Sequence, residues 1–187
     1  TRELSKALED TEFKVESLIN QRTEAAPETG SSFLENALIK CKSVAETTGT
    51  PTIADDSGLV VPALNGRPGI YSARYSGPEA SDEENIQKLI QEMRSISDCR
   101  AYFFCCLVFM VSSDDPFPIF AQGLWKGEIL KKPAGSGGFG YDPIFYLPEY
   151  GMTAAELPVE VKSSISHRAL AIKDFLSLYL KHEEKHC

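Results

Sequence analysis

The sequence places two adjacent carboxylates, Asp55 and Asp56, at the end of the β-prone segment Pro51-Thr52-Ile53-Ala54 and follows them with Ser57-Gly58. Successive side chains of a strand point to opposite faces. The pair can therefore serve one cation only if the strand ends there and Gly58 turns the chain, a conformation glycine permits. Carboxylate oxygens are the hard ligands that Mg²⁺ requires. An ordinary Asp-Asp-Ser-Gly turn with no ligand would use the same residues.

A second stretch with chemical potential is Pro133-Ala134-Gly135-Ser136-Gly137-Gly138-Phe139-Gly140-Tyr141-Asp142-Pro143. Its glycines let backbone N–H groups approach a ligand closely, and Phe139 and Tyr141 offer flat faces for a base to stack on. The loop lacks the lysine of a Walker A motif; its alternative is a Gly-rich linker. A third stretch, Ser166-His167-Arg168 with Lys162 upstream, forms a basic cluster in an acidic chain, suited to an anion or to base reading. A lone histidine at such a helix start is ordinarily surface decoration. Lys40 stands in a helical stretch four residues after Asn36, where a solvated lysine is the default.

The elements that must position these groups follow from periodicity and caps. Leu4 and Leu8 mark a helix over Thr1 to Leu8, and Phe13 to Leu18 alternates as a strand. Asn20 to Gly30 is a polar loop carrying Glu24 and Glu28. Ser32 and Glu35 form a capping-box pattern ahead of a helix whose apolar face is Phe33, Ala37, Cys41 and Val44-Ala45. Gly49 and Pro51 stop it. Asn65 to Gly69 is a turn cluster. Ser81 begins a helix that turns Ile86, Leu89, Ile90 and Met93 to a core. Ala101 to Val111 reads as a central strand, with Ile119 to Ile129 as its hairpin partner beyond the Asp114-Asp115-Pro116 turn. Ile144 to Tyr146 is a short strand. Glu156 to Ser164 is a loop or helix start, and the last helix turns Leu170, Ile172, Phe175, Leu176 and Tyr179 inward.

A length of 187 residues provides for one medium domain, or two lobes sharing one sheet, with a substantial core. The net charge of −8 argues against broad nucleic-acid binding, which needs a Lys/Arg surface, though not against a free nucleotide held through a metal. The longest apolar run, Ala101 to Val111, is well short of the roughly 18 residues of a membrane span, so no membrane partner is expected. Cys41, Cys99, Cys105, Cys106 and Cys187 form no C-x-x-C pair and lie mostly in apolar segments. Reduced thiols in a cytoplasmic protein are the reading that fits.

Taken together, Ser32-Phe33-Leu34-Glu35-Asn36-Ala37, Ala54-Asp55-Asp56-Ser57-Gly58-Leu59, Pro68-Gly69-Ile70-Tyr71-Ser72-Ala73-Arg74-Tyr75, Gly137-Gly138-Phe139-Gly140-Tyr141-Asp142-Pro143 and Lys162-Ser163-Ser164-Ile165-Ser166-His167-Arg168 resemble the inosine/xanthosine triphosphate pyrophosphatase family, bacterial type. They occur in the family's order across nearly the whole chain. The resemblance implies an α/β fold: a long, bent, mixed β-sheet flanked by helices, with two lobes and a central cleft. It implies hydrolysis of ITP, dITP and XTP to the monophosphate and pyrophosphate, a reaction that clears deaminated purines from the nucleotide pool.

The resemblance further implies that Glu28, Asp55 and Asp56 hold Mg²⁺, with Asp56 also positioning or deprotonating the attacking water. Lys40 and Ser57 would line the phosphate site. Phe139, Gly140, Tyr141, Asp142, Lys162, His167 and Arg168 would bind base and sugar. Arg168 only donates hydrogen bonds, so it suits the carbonyl that deamination leaves at the purine 6-position. A homodimer is implied as well. One departure concerns the start. The family opens with a strand and a Thr/Ser-Gly-Asn-x-x-Lys phosphate loop, and the helix after that loop is similar to Thr1-Arg2-Glu3-Leu4. Residues 1–187 are thus expected to be a single two-lobed pyrophosphatase domain without that strand and loop, and those elements are expected before Thr1. Two rival readings are a catalytically silent nucleotide-binding protein and a house-cleaning pyrophosphatase for modified pyrimidine nucleotides.

Overall fold

A computed structural model describes Glu16 and residues 26–183. The helix expected over Thr1 to Leu8 and the strand expected over Phe13 to Leu18 lie outside those residues, as do Glu24 and Cys187. The described elements are α1 (Phe33–Thr48), β1 (Thr52–Val60), α2 (Asp82–Glu92), β2 (Arg100–Met110), β3 (Ile119–Ile129), β4 (Phe145–Leu147), β5 (Met152–Thr153), α3 (Val159–Ile165) and α4 (His167–Glu183). The strands form one sheet in the order β1-β2-β3-β4-β5. It is antiparallel among the described strands, so the mixed pairing expected from sequence is not found there. In the registers at its far edge, Glu128 pairs with Tyr146 and Ile129 with Phe145, then Tyr146 with Thr153 and Leu147 with Met152. β2 and β3 are joined by residues 111–118, too short a link for the crossover that parallel neighbours need.

The chain divides into two compact units. The first contains residues up to Asp56, Cys105–Gly123 and the segment from His167; the second contains Ser57–Phe104 and Leu124–Ser166. In the first unit, strand alternation sorts side chains between two helices. Ala54, Val108 and Met110 pack with Ala37 and Cys41 of α1. Ile53, Cys105, Leu107, Phe109, Ile119 and Ala121 pack with Ala171, Ile172 and Phe175 of α4. The α1 face is lined by Ala37, Cys41 and Ala45, small residues that let the helix lie close to the strands.

The helix termini follow local chemistry. The Ser32 side chain accepts from the Glu35 N–H, and Gly49 ends α1 at φ 65°, donating to the Ala45 carbonyl. The Glu35 carboxylate turns to the N–H and hydroxyl of Ser31, at 2.6 and 2.8 Å, rather than to Ser32. At α2 the capping box is complete, with Ser81 and Glu84 satisfying each other's backbone N–H groups.

In the second unit, α2 sets Ile86, Leu89 and Met93 against Leu59, Val61, Ala101 and Phe103. The rings of Phe103, Trp125 and Phe145 meet there, with centroids 4.6 to 6.3 Å apart. No described helix is long and apolar enough to cross a membrane.

Candidate active site

The expectation that a strand ends at the Asp pair is corrected by the structure. β1 runs from Thr52 to Val60, straight through Ser57 and Gly58. Gly58 is therefore extended strand, and nothing redirects either carboxylate. The bond alternation that puts Ala54 toward α1 and Ile53 toward α4 also separates the acids. Asp56 points to α1 and Asp55 to α4.

On the α1 side, Lys40 Nζ lies 2.7 Å from Asp56 Oδ1 and 2.7 Å from Glu28 Oε1. It also reaches the Asp55 carbonyl oxygen at 3.3 Å. Lys40 is thus no solvated surface lysine. Its position on the helix, eight residues beyond the Ser32 cap, brings its long side chain to β1. Burial alone would lower its pKa, but the hydrogen bonds it donates to Asp56 and Glu28 outweigh that and hold it above its ordinary value. Burial also raises Asp56, with Lys40 and Asn36 pulling it back.

Asn36 is the residue that sequence reasoning missed. It is fully buried, donates to Asp56 Oδ2 at 3.3 Å and accepts from the Gly30 N–H at 2.8 Å. One side chain thereby ties the loop carrying Glu28 to the acid on β1. A Cβ on Gly30 would stand 2.7 Å from Asn36 Oδ1, so this contact needs glycine. The available signal was an asparagine inside a helix, a poor helix former with no capping role there.

On the α4 side, Asp55 Oδ2 accepts from Arg168 Nε at 3.1 Å, and the Cys105 thiol lies 3.8 Å from the same oxygen. Arg168 stands in the first turn of α4. His167, expected at the surface, is buried, because that turn is seated on β3: a Cβ on Gly123 would fall 1.9 Å from the His167 carbonyl oxygen. Gln122 N–H donates to Asp174 Oδ2 at 3.0 Å one turn or more further along. Behind the acids, burial pushes the Cys106 thiol up to about 11, with Asp56 and Asp55 adding to it.

The Gly-aromatic loop belongs to the second unit and differs from expectation in two ways. Its N–H groups are largely taken by the protein: Phe139 N–H donates to Asp142 at 2.8 Å, Gly140 N–H to Asp82 at 2.6 Å and Gly137 N–H to the Ala155 carbonyl at 3.1 Å. Tyr141 is buried and spends its hydroxyl on the Ser72 carbonyl at 2.9 Å, so its ring is core rather than a stacking face. Phe139 remains 56% exposed, with Lys162 Nζ 4.8 Å from its ring centroid. Lys162 is ion-paired with the buried Asp142. Lys162 pairs with Asp142 within the second unit, and Arg168 with Asp55 within the first. Ser57, next along β1, is half-buried and falls in the second unit.

Among the described residues, no three His, Cys, Asp or Glu side chains gather closely enough to hold a metal ion by themselves. Glu28 and Asp56 nevertheless converge on one cationic nitrogen with oxygen donors only. That set suits Mg²⁺, which keeps several waters and is usually bound through one or two carboxylates plus substrate phosphate.

The site is thus an acid-lined one on an α/β scaffold, with Glu28 and Asp56 meeting at Lys40. The Ham1 family model matches residues 1–178. Over 174 residues the chain is 49% identical to a Shigella flexneri protein and 51% identical to a Yersinia pestis protein, each named dITP/XTP pyrophosphatase; both alignments cover 92% of this chain and 88% of the relative. The structure of a HAM1 protein from Coxiella burnetii superposes with a TM-score of 0.91 at 42% identity, covering 96% of this chain and 92% of that one. A Mycobacterium abscessus nucleoside-triphosphatase, dITP/XTP pyrophosphatase, superposes with a TM-score of 0.77 at 40% identity over 95% and 93%. The chain belongs to the Ham1 family.

Proposed function

We propose that this protein hydrolyses dITP, ITP and XTP to the nucleoside monophosphate and pyrophosphate. The observation that carries the reading is the convergence of Glu28 and Asp56 on Lys40 within a chain about half identical to dITP/XTP pyrophosphatases. Water adds through its oxygen to the α-phosphorus, the bond from that phosphorus to the α–β bridging oxygen breaks, and pyrophosphate departs with the bond's electrons. Asp56 accepts the water's proton at its carboxylate. Lys40 supplies positive charge to the phosphate oxygens, and Asn36 keeps Asp56 aimed. Glu28 and Asp56 would hold Mg²⁺, which would supply charge neutralisation when bound. Arg168 donates to the 6-carbonyl of the deaminated purine, where the amino group of adenine would present another donor. In the second unit, the exposed ring of Phe139 is the candidate stacking face.

By kinship with the family, the 187 residues act as one domain, as a homodimer and in the cytoplasm. The deciding experiment is release of pyrophosphate from ITP with Mg²⁺, against ATP and a panel of modified pyrimidine triphosphates. ITP and XTP are strongly preferred. Preference for a pyrimidine triphosphate, or no release from any of them, overturns the proposal.

A further inference from the structure

We propose that Asp55 is a positioning residue for Arg168, setting purine selectivity, and is not a ligand of the metal. The inference rests on the function proposed above. Three observations carry it. First, β1 continues unbroken through the Asp pair, so Asp55 shares its face with Ile53, which packs with the α4 cluster, while Asp56 shares the opposite face with Ala54. The carboxylate of Asp55 therefore points away from the face on which Glu28, Lys40 and Asp56 meet.

Second, Asp55 Oδ2 engages Arg168 through Nε, at 3.1 Å, with both side chains about one-third exposed. Nε is the donor nearest the chain in the planar guanidinium. A charged acceptor there fixes the plane of the fork, and the fork's orientation is what reading a carbonyl depends on. Third, the backbone that carries Arg168 is itself fixed. α4 cannot slide along β3, because His167 and Ala171 lie directly over Gly123, whose Cβ would meet the Ala171 nitrogen at 2.5 Å. With the helix seated, the one remaining freedom of Arg168 is its side-chain torsions, and Asp55 restrains those.

The test compares Asp55→Ala, Asp55→Asn and Asp56→Asn with the parent. Two quantities are read: the ratio of kcat/KM for ITP over ATP, and the affinity of the nucleotide-free protein for Mn²⁺ by electron paramagnetic resonance. The expected result is a fall in the ratio by about tenfold or more for Asp55→Ala, as follows from losing a charge-assisted hydrogen bond, and a smaller fall for Asp55→Asn, which keeps a neutral acceptor. Mn²⁺ affinity stays at the parent level in both and drops in Asp56→Asn. Arg168→Lys lowers the ratio similarly, and combining it with Asp55→Ala adds little, since the two act as one unit. Circular dichroism checks folding; if Asp55→Ala does not fold, Asp55→Asn carries both readouts. An Mn²⁺ affinity weakened as far as in Asp56→Asn, or an unchanged ratio, overturns the inference while leaving the proposed function standing. A parent that releases no pyrophosphate from ITP overturns both.

Discussion

The backbone of Gly123 lies so close beneath His167 that a methyl group there would stand 1.9 Å from the His167 carbonyl oxygen. The contact sets the depth at which α4 rests on β3, and so the position of the residue after His167, Arg168. Gly123→Ala is expected to lift the first turn of α4, destabilising the fold by about 1–3 kcal/mol as overpacking does. Urea unfolding measures that cost. The folded fraction should also lose part of its preference for ITP over ATP, because Arg168 moves with the turn. A variant as stable and as selective as the parent would remove this contact from the account of the site.

Asp56→Asn should abolish turnover while leaving the fold intact. The substitution removes both a candidate proton acceptor and an anionic oxygen from the metal-binding face, and a positioned base alone is worth roughly 10²-fold or more. Steady-state release of pyrophosphate from ITP, with circular dichroism as the folding control, decides it. Activity within about tenfold of the parent, roughly 1.4 kcal/mol of barrier, would remove Asp56 from the chemistry.

The buried thiols give a pH prediction. Burial pushes Cys41 up to about 12 and Cys106 up to about 11. Both pKa values are raised in the folded state, so the associated stability is fully present below the unfolded thiol value near 9 and is lost as pH rises through 11 and 12. The urea midpoint should decline above pH 9, and Cys41→Ala should decline less steeply than the parent. In native protein at pH 8, iodoacetamide should label half-exposed Cys99 before Cys41, Cys105 or Cys106. Rapid labelling of Cys41 under those conditions would contradict its burial between the Thr52 and Val108 carbonyls.

The α2 cap offers a stability test remote from the acids. Ser81→Ala removes the acceptor for the Glu84 N–H and one half of the reciprocal box. The expected cost is about 1 kcal/mol, read as a shift of the thermal midpoint, with the selectivity between ITP and ATP retained. No shift would mean that solvent caps α2 equally well.

What the sequence by itself determined is local. Ser32 and Ser81 begin helices and Gly49 ends one because caps are settled by the residues within a turn of them. Arg100 to Met110 forms a strand because the apolar run from Ala101, rich in aromatic residues and valine, suits the centre of a sheet. Asp55, Asp56, Lys40 and Arg168 could be selected by type, order and family resemblance. Which of them meet depended on the tertiary structure. Asp55 and Asp56 were separated by strand continuation, since Gly58 permits a turn but β1 pairing holds it extended. Tyr141 became core because the Ser72 carbonyl offered its hydroxyl a partner, and two loop N–H groups were claimed by Asp82 and Asp142. Asn36, Gly30 and Gly123 act through contacts with elements distant in sequence. Their importance lies in the space and partners around them, and only packing creates those.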